Sequence, residues 1–352
     1  MSKYQLVRFI AMAAVLACAA ATRTWAEEAD NAAVAPPQST AVAQAAGNAP
    51  VPATDPATAP APAQEKGPPL PFHTIEGYGG GAITPMAYLV NPGDECTFLG
   101  KPAAAMSFVG LGSKNLDALT FTETLYGRVE LGYGADRLGL GSLPSAIQNA
   151  TTVNIGHSDE WLHTWSIRGL LVKENDPVLK DLLGGLDVPA FTVGIHFKYN
   201  DSIADINNKL GGALNTIGYN SASGEDFTFT ATKTFAKGFF GKPLITTAGL
   251  RLSEAADLGF LGFGDTYHAT FEGNIAILPW DKVLIAYEFR QKTDPYNLNL
   301  NPLIGGEDNW QTIDAAYICN AHSTLVVGWG HFGNLANAEA DSAWFMQLKY
   351  EF

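Results

Sequence analysis

The side chains best placed to do chemistry are charged or titratable groups: Arg128, Glu130, Arg168, His196, Lys198, Glu272, Glu288, Arg290, Asp314 and Lys349. Successive side chains of an extended strand point to opposite faces. Lys198, Glu272 and Arg290 therefore share a face with polar residues while Phe197, Phe271 and Phe289 take the other. A face of mixed sign lines either a hydrated channel or a filled interior. Keeping Glu272 and Arg290 on one face across a turn at residues 279–282 makes them direct or diagonal neighbours, so they are expected to pair. The alternative is two solvated charges that merely share a face, because exposed pairs contribute only about 0–1 kcal/mol.

The nearest approach to a catalytic constellation is His268, Thr270 and Glu272 on a single face. A residue at i+2 lies about 7 Å away along a strand, too far for a nucleophile to reach its base directly. The sequence contains no His-x-Ser step, no His-x-x-x-His or Cys-x-x-Cys spacing and no phosphate loop. No enzymatic activity, metal or cofactor is expected.

These faces must be positioned by strands. In residues 267–277, Tyr267, Ala269, Phe271, Gly273, Ile275 and Ile277 alternate with His268, Thr270, Glu272, Asn274 and Ala276. The same period recurs at 125–133, 191–199, 227–235, 283–289 and 313–317, with Gly, Asn, Asp and Pro clusters between the segments. Counting gives about twelve strands, near 80–90, 104–111, 119–135, 160–174, 189–200, 224–236, 243–252, 265–278, 282–292, 309–319, 323–332 and 343–352. An even number with alternating long and short connections suits a transmembrane, antiparallel, up-and-down β-barrel, though a soluble β-sandwich has the same period, so the chain end must decide. Residues 175–188 fit least well, falling on the short-turn side although long enough for a short helix. The glycines Gly79, Gly80 and Gly81, with no lysine or helix after them, read as flexible backbone at the barrel entrance.

The chain is 352 residues long, 47% hydrophobic and 16% charged, yet has no apolar run of 18 residues after residue 26. Residues 1–26 read as a secretory signal: Lys3 and Arg8, an apolar core, then Thr24-Trp25-Ala26 as the cleavage site. Removing its cations Lys3, Arg8 and Arg23 takes the formal charge from −14 to −17, which argues against a nucleic-acid partner. Residues 27–71, rich in Ala and Pro, cannot bury enough apolar area to offset their ordering entropy and read as a disordered periplasmic linker. Residues 72–352 form the barrel.

The final strand ends Met346, Leu348, Tyr350, Phe352 on one face. It resembles the C-terminal strand of bacterial outer-membrane barrels, the assembly signal that the barrel-assembly machinery recognises. Residues 76–82 (EGYGGGA), 121–134 (FTETLYGRVELGYG), 261–265 (LGFGD) and 287–292 (YEFRQK) resemble an uncharacterised proteobacterial family of unknown function thought to be outer-membrane barrels. The resemblance implies fold, outer-membrane location, surrounding lipids and periplasmic chaperones as partners, and no particular substrate. The oligomeric state is not legible. The aromatics Trp280, Tyr317, Tyr350 and Phe352 suit an interfacial girdle at the periplasmic rim. Cys96, placed in an outer loop, and Cys319, at the opposite rim, are expected to remain free thiols. The expected function is a passive channel for small polar solutes, with a non-transport barrel serving as a surface-binding or envelope scaffold as the alternative.

Overall fold

The computed structural model describes residues 70–296, 304–336 and 338–352. The signal peptide and nearly all of the linker lie outside the described residues. Twelve strands make one closed barrel: β1 Ala103–Leu111, β2 Lys114–Leu125, β3 Val129–Gly139, β4 Asp159–Val172, β5 Ala190–Asn200, β6 Ser223–Phe235, β7 Leu244–Ala255, β8 Phe263–Trp280, β9 Val283–Arg290, β10 Trp310–Ile318, β11 Ser323–His331 and β12 Ala343–Glu351. Each pairs antiparallel with its neighbour in sequence, and β12 closes on β1 from Trp344↔Gly110 to Glu351↔Ala103. The two-residue period sorts side chains as expected. In β12, Phe345, Gln347, Lys349 and Glu351 are buried while Trp344, Met346, Leu348 and Tyr350 stand exposed on the outside.

The rim that carries the C-terminus is closed mainly by tight connections, such as 281–282 and 319–322, and the opposite rim by the long loops 140–158, 201–222, 291–309 and 332–342. The long loops 140–158 and 201–222 hold the short helices α1 Leu143–Thr151, α3 Ile203–Lys209 and α4 Ala213–Ile217. The segment that fitted least well is a helical excursion on the tight-turn rim, α2 Pro177–Leu182. Asp176 caps it by accepting from the backbone N–H of Val178 and Leu179, and Pro177 starts it where no N–H is needed.

The expected count of twelve is right through two errors that cancel. Residues 119–135 are not one strand: β2 turns into β3 at Tyr126 (φ 50°) and Gly127 (φ 61°). Positive φ at both central residues marks a tight hairpin turn, and Tyr-Gly carries that signal less visibly than Asn-Gly. Residues 80–90 are not a barrel strand at all. Residues 72–91 fold into the lumen from the tight-turn rim, with a short pairing of Phe72–His73 against Gly79–Gly80. Phe72, His73, Thr74, Glu76, Tyr78 and Ala87 are each at most 3% exposed. The barrel wall therefore begins at residue 103, not 72, and residues 72–91 form a plug.

Two further placements change with this. Arg128 belongs to the β2–β3 turn on the tight-turn rim and not to the lumen, and its Nε pairs with Glu95 at 2.7 Å. Cys96 lies beside that turn, in a segment where Leu99 bridges Leu125, so it shares a rim with Cys319. Both thiols are free and exposed, as expected, but not because they sit at opposite rims.

The wall is thinned where the plug tip meets it. Gly77 (φ +86°) makes the turn at the tip, and a Cβ added there would lie 2.6 Å from the Tyr133 carbonyl and Gly134 nitrogen. On the facing strand a Cβ at Gly134 would lie 2.8 Å from the Glu76 carbonyl oxygen. Glycine inside a strand here marks close approach of another backbone. Overpacking costs about 1–3 kcal/mol, so Gly134→Val should destabilise by that amount in denaturant titrations of the micelle-folded barrel. Ala135→Val, on the outward face, should change it by less than about 0.5 kcal/mol.

Candidate functional site

The barrel's charge is concentrated where the plug meets the wall. Register brings Lys198 on β5, Asp226 on β6, Arg251 on β7, Glu272 on β8 and Arg290 on β9 to one side of the lumen, all facing inward. Glu76 of the plug is the hub. Its Oε1 lies 2.5 Å from Lys198 Nζ and its Oε2 2.6 Å from Arg290 Nη1. Lys198 Nζ also reaches Asp226 at 2.7 Å. Arg251 spans the group, with Nη1 2.9 Å from Asp226 and Nε 3.1 Å from Glu272. The Tyr78 hydroxyl donates to Glu76 at 2.7 Å and accepts from Arg251 Nη2 at 2.8 Å. Three carboxylates and three cations thus neutralise one another. That balance is required, because each ion removed from water costs several kcal/mol unless it is paired and hydrogen-bonded.

Other wall groups satisfy the plug's irregular backbone, whose buried N–H and C=O groups must all find partners. Glu130 accepts from the N–H of Gly79 at 2.9 Å and of Val90 at 2.7 Å, and also from Arg168 Nη1 at 2.8 Å. Arg168 in turn donates to the carbonyls of Gly79 and Met86. Glu288 accepts from the N–H of Ala82, Ile83 and Thr84 and from the Thr84 hydroxyl. Near the tight-turn rim, Lys349 donates to the Pro71 carbonyl and pairs with Glu351 at 2.7 Å. His73 lies against Thr120 and Thr122, and Gln347 donates to its carbonyl.

Of the ten residues singled out from the sequence, nine face this interior and Arg128 does not. His196 is held between Ser166 and Thr228, and its ring centre lies 4.2 Å from that of Tyr78, the planes tilted by 36°. Asp314 lies buried one strand over from Glu288. Glu272 and Arg290 are direct register partners, yet their ion pair is loose at 3.9 Å because each is drawn to a closer partner, Arg251 and Glu76. His268 is only half-buried near the long-loop rim, and Glu272 is committed to Arg251. The C-terminal side chains Met346, Leu348, Tyr350 and Phe352 all face outward, as do Trp280 and Tyr317.

Sequence reasoning missed Glu76, Tyr78, Asp226 and Arg251. Asp226 and Arg251 were readable: Asp226, Thr228 and Thr230 alternate with Phe227 and Phe229, and Arg251 sits between Leu250 and Leu252. Glu76 was not, because a non-periodic Gly-rich stretch says nothing about which side of a wall it occupies.

The long-loop rim has its own tie. Asp257 accepts from the Ala336 N–H at 3.1 Å, and its own N–H donates to Glu307, which pairs with Lys292 at 2.6 Å. Three loops are joined there. Burial, and then the neighbouring Glu307 charge, push the Asp257 carboxyl up to about 7.

Two outcomes follow for the site. Removing one partner of a buried ion network costs about 3–5 kcal/mol, so Glu76→Ala should lower unfolding stability by that much, read from denaturant midpoints in micelles. Asp257 binds its proton more tightly folded than unfolded, where a free Asp titrates near about 3.9. Its contribution is therefore fully present below that value and is lost as pH rises through about 7. The thermal midpoint should fall between about pH 4 and about pH 7, and Asp257→Asn should flatten the fall.

Among solved structures, the chain is similar to the KdgM porin at 10% identity, covering 71% of this chain and 99% of that one, with a TM-score of 0.42. For the NanC porin the values are 6%, 71%, 98% and 0.40, and for the Acinetobacter baumannii outer membrane protein Omp33 they are 8%, 72%, 99% and 0.35. Likeness this distant bears no weight on what the protein does. No curated protein sequence matches the chain. A family model does match, across residues 71–349, which takes in the plug as well as the wall: the chain belongs to the family described as protein of unknown function (DUF3034).

Proposed function

We propose that the protein is an outer-membrane barrel whose lumen is closed by its own N-terminal plug, and that small solutes pass only when the plug shifts. The observation that carries this reading is the binding of residues 72–91 by the wall: Lys198 and Arg290 hold Glu76, Glu130, Arg168 and Glu288 hold the plug backbone, and every plug residue but the half-buried Tyr88 is buried. Location is supported by the outer surface, where Phe121, Trp165, Phe271, Ile313 and Leu348 stand exposed on successive parts of the wall. Only lipid suits such a belt on a barrel. The aromatics Trp280, Tyr317, Tyr350 and Phe352 then mark the periplasmic interface, and the outward C-terminal strand is the surface offered to the assembly machinery. With the plug displaced, the charged belt it leaves would line a path for small polar solutes. No catalytic role is assigned to the Glu76 network, whose acids and cations are committed to one another and to the plug.

Single-channel conductance in planar bilayers tests this. Wild-type protein should be closed most of the time. Arg168→Ala combined with Arg290→Ala removes two wall cations that hold the plug, and each broken buried pair costs about 3–5 kcal/mol. Openings should therefore become more frequent on the order of a hundredfold or more. Steady large conductance in the wild type would show that the plug is no gate, and a folded but silent double variant would favour a scaffold barrel that carries nothing.

A further inference from the structure

The long loops do more than cover the barrel. Helix α1 from loop 140–158, helices α3 and α4 from loop 201–222, and parts of 256–262 and 291–309 pack into a second apolar core, separate from the one inside the lumen. This core is not filled. It encloses a chamber of about 150 Å³ whose walls are mainly aliphatic, with Ile147, Ile155, Ile203, Ile206, Leu214 and Ile304 among them. Ile155 and Ile203 are each 1% exposed, so the chamber reaches deep between the loops, while Thr151, also on its wall, is exposed.

Protein interiors rarely leave voids much larger than a water molecule, and a chamber without polar partners holds water poorly. A dry cavity of ~150 Å³ lined by Leu, Ile and Phe accepts a single aromatic ring. Among the described residues the one ionisable group on the wall is Glu160, whose Oε2 accepts from Asn200 Nδ2 at 3.0 Å. No cation lines the chamber among the described residues. An anionic ligand would meet a carboxylate and no counter-charge, and any ion would lose its hydration against aliphatic walls. Outside the chamber, Lys209 donates to the Ile155 carbonyl at 2.7 Å, and His157 Nε2 lies 2.7 Å from Asp205, so the two loops are clasped in polar contacts above an apolar void.

We propose that this loop dome is a binding site for one small, uncharged, apolar molecule, of the bulk of a single aromatic ring or a short alkyl chain. The site lies outside the barrel lumen and does not depend on the plug acting as a gate. An occupant would bridge α1 to α3 and α4, stabilising the closed dome by mass action.

Crystals of the full folded barrel soaked with bromobenzene test it through the anomalous signal of bromine. The expected result is a peak between α1, α3 and α4 in the wild type that vanishes in Leu214→Trp, which fills the chamber. Ile206→Phe, a smaller insertion, serves if the tryptophan variant fails to refold. In solution, benzene should raise the thermal midpoint of the wild type and bind the filled variant about tenfold or more weakly, while benzoate should leave the midpoint unchanged. A bromine peak confined to the outer apolar belt, or binding that survives filling of the chamber, overturns the proposal. An equal response to benzoate overturns its restriction to uncharged ligands.

Discussion

Glu76 is a carboxylate buried at the centre of a barrel, and the arrangement around it depends on keeping that charge tolerable. One anion in a low-dielectric interior would be prohibitive, and one cation beside it would leave hydrogen-bonding capacity unmet. The protein supplies Lys198 and Arg290 at close range and Arg251 at 3.4 Å and through Tyr78, then balances those three cations with Asp226 and Glu272. Five strands each contribute one group, so the network requires those strands to hold their register. A slip of one residue would turn every one of these side chains to the outer face of the wall.

The same requirement explains the division of labour within the lumen. A plug with little regular secondary structure cannot satisfy its own backbone. The wall does so with carboxylates where the plug presents N–H groups, as Glu130 and Glu288 do, and with cations where it presents carbonyls, as Arg168 and Lys349 do. Towards the long-loop rim the interior changes character: Val109, Leu111, Leu116, Leu138 and Phe345 meet Ile75 and Ile83 of the plug in an apolar core. The plug is amphipathic in a barrel that is amphipathic along its length as well as across its wall.

How much of this was legible follows from what alternation encodes. The period at residues 267–277 names an inward and an outward face, and the structure turns Thr270, Glu272 and Asn274 in and Phe271 and Ile275 out, as read. Alternation does not say what the inward face touches. Glu272 and Arg290 are legible from the sequence as direct or diagonal neighbours, but the pull of Arg251 and Glu76 that loosens their pairing involves long-range contacts that no local pattern records. The hairpin at Tyr126-Gly127 was hidden because β2 and β3 are both apolar enough to read as one continuous strand. Residues 80–90 misled for the opposite reason: a hydrophobic stretch after glycines looks like a strand wherever it is buried, and Glu288 binds it as backbone rather than as a sheet partner.

The plug spans the seam at which the barrel closes. Its far end runs on into β1, while its start at Pro71 is gripped by Lys349 on β12, the strand that pairs with β1. Residues 72–91 precede every wall strand: Arg168, Lys198 and Arg290 hold their middle, but the cation at their start belongs to the final strand. An unfinished barrel therefore holds its N-terminal segment by partial contacts alone, and closing the last seam is the step that locks the segment in. Closure of the wall and capture of the start of its contents thus rest on the same strand.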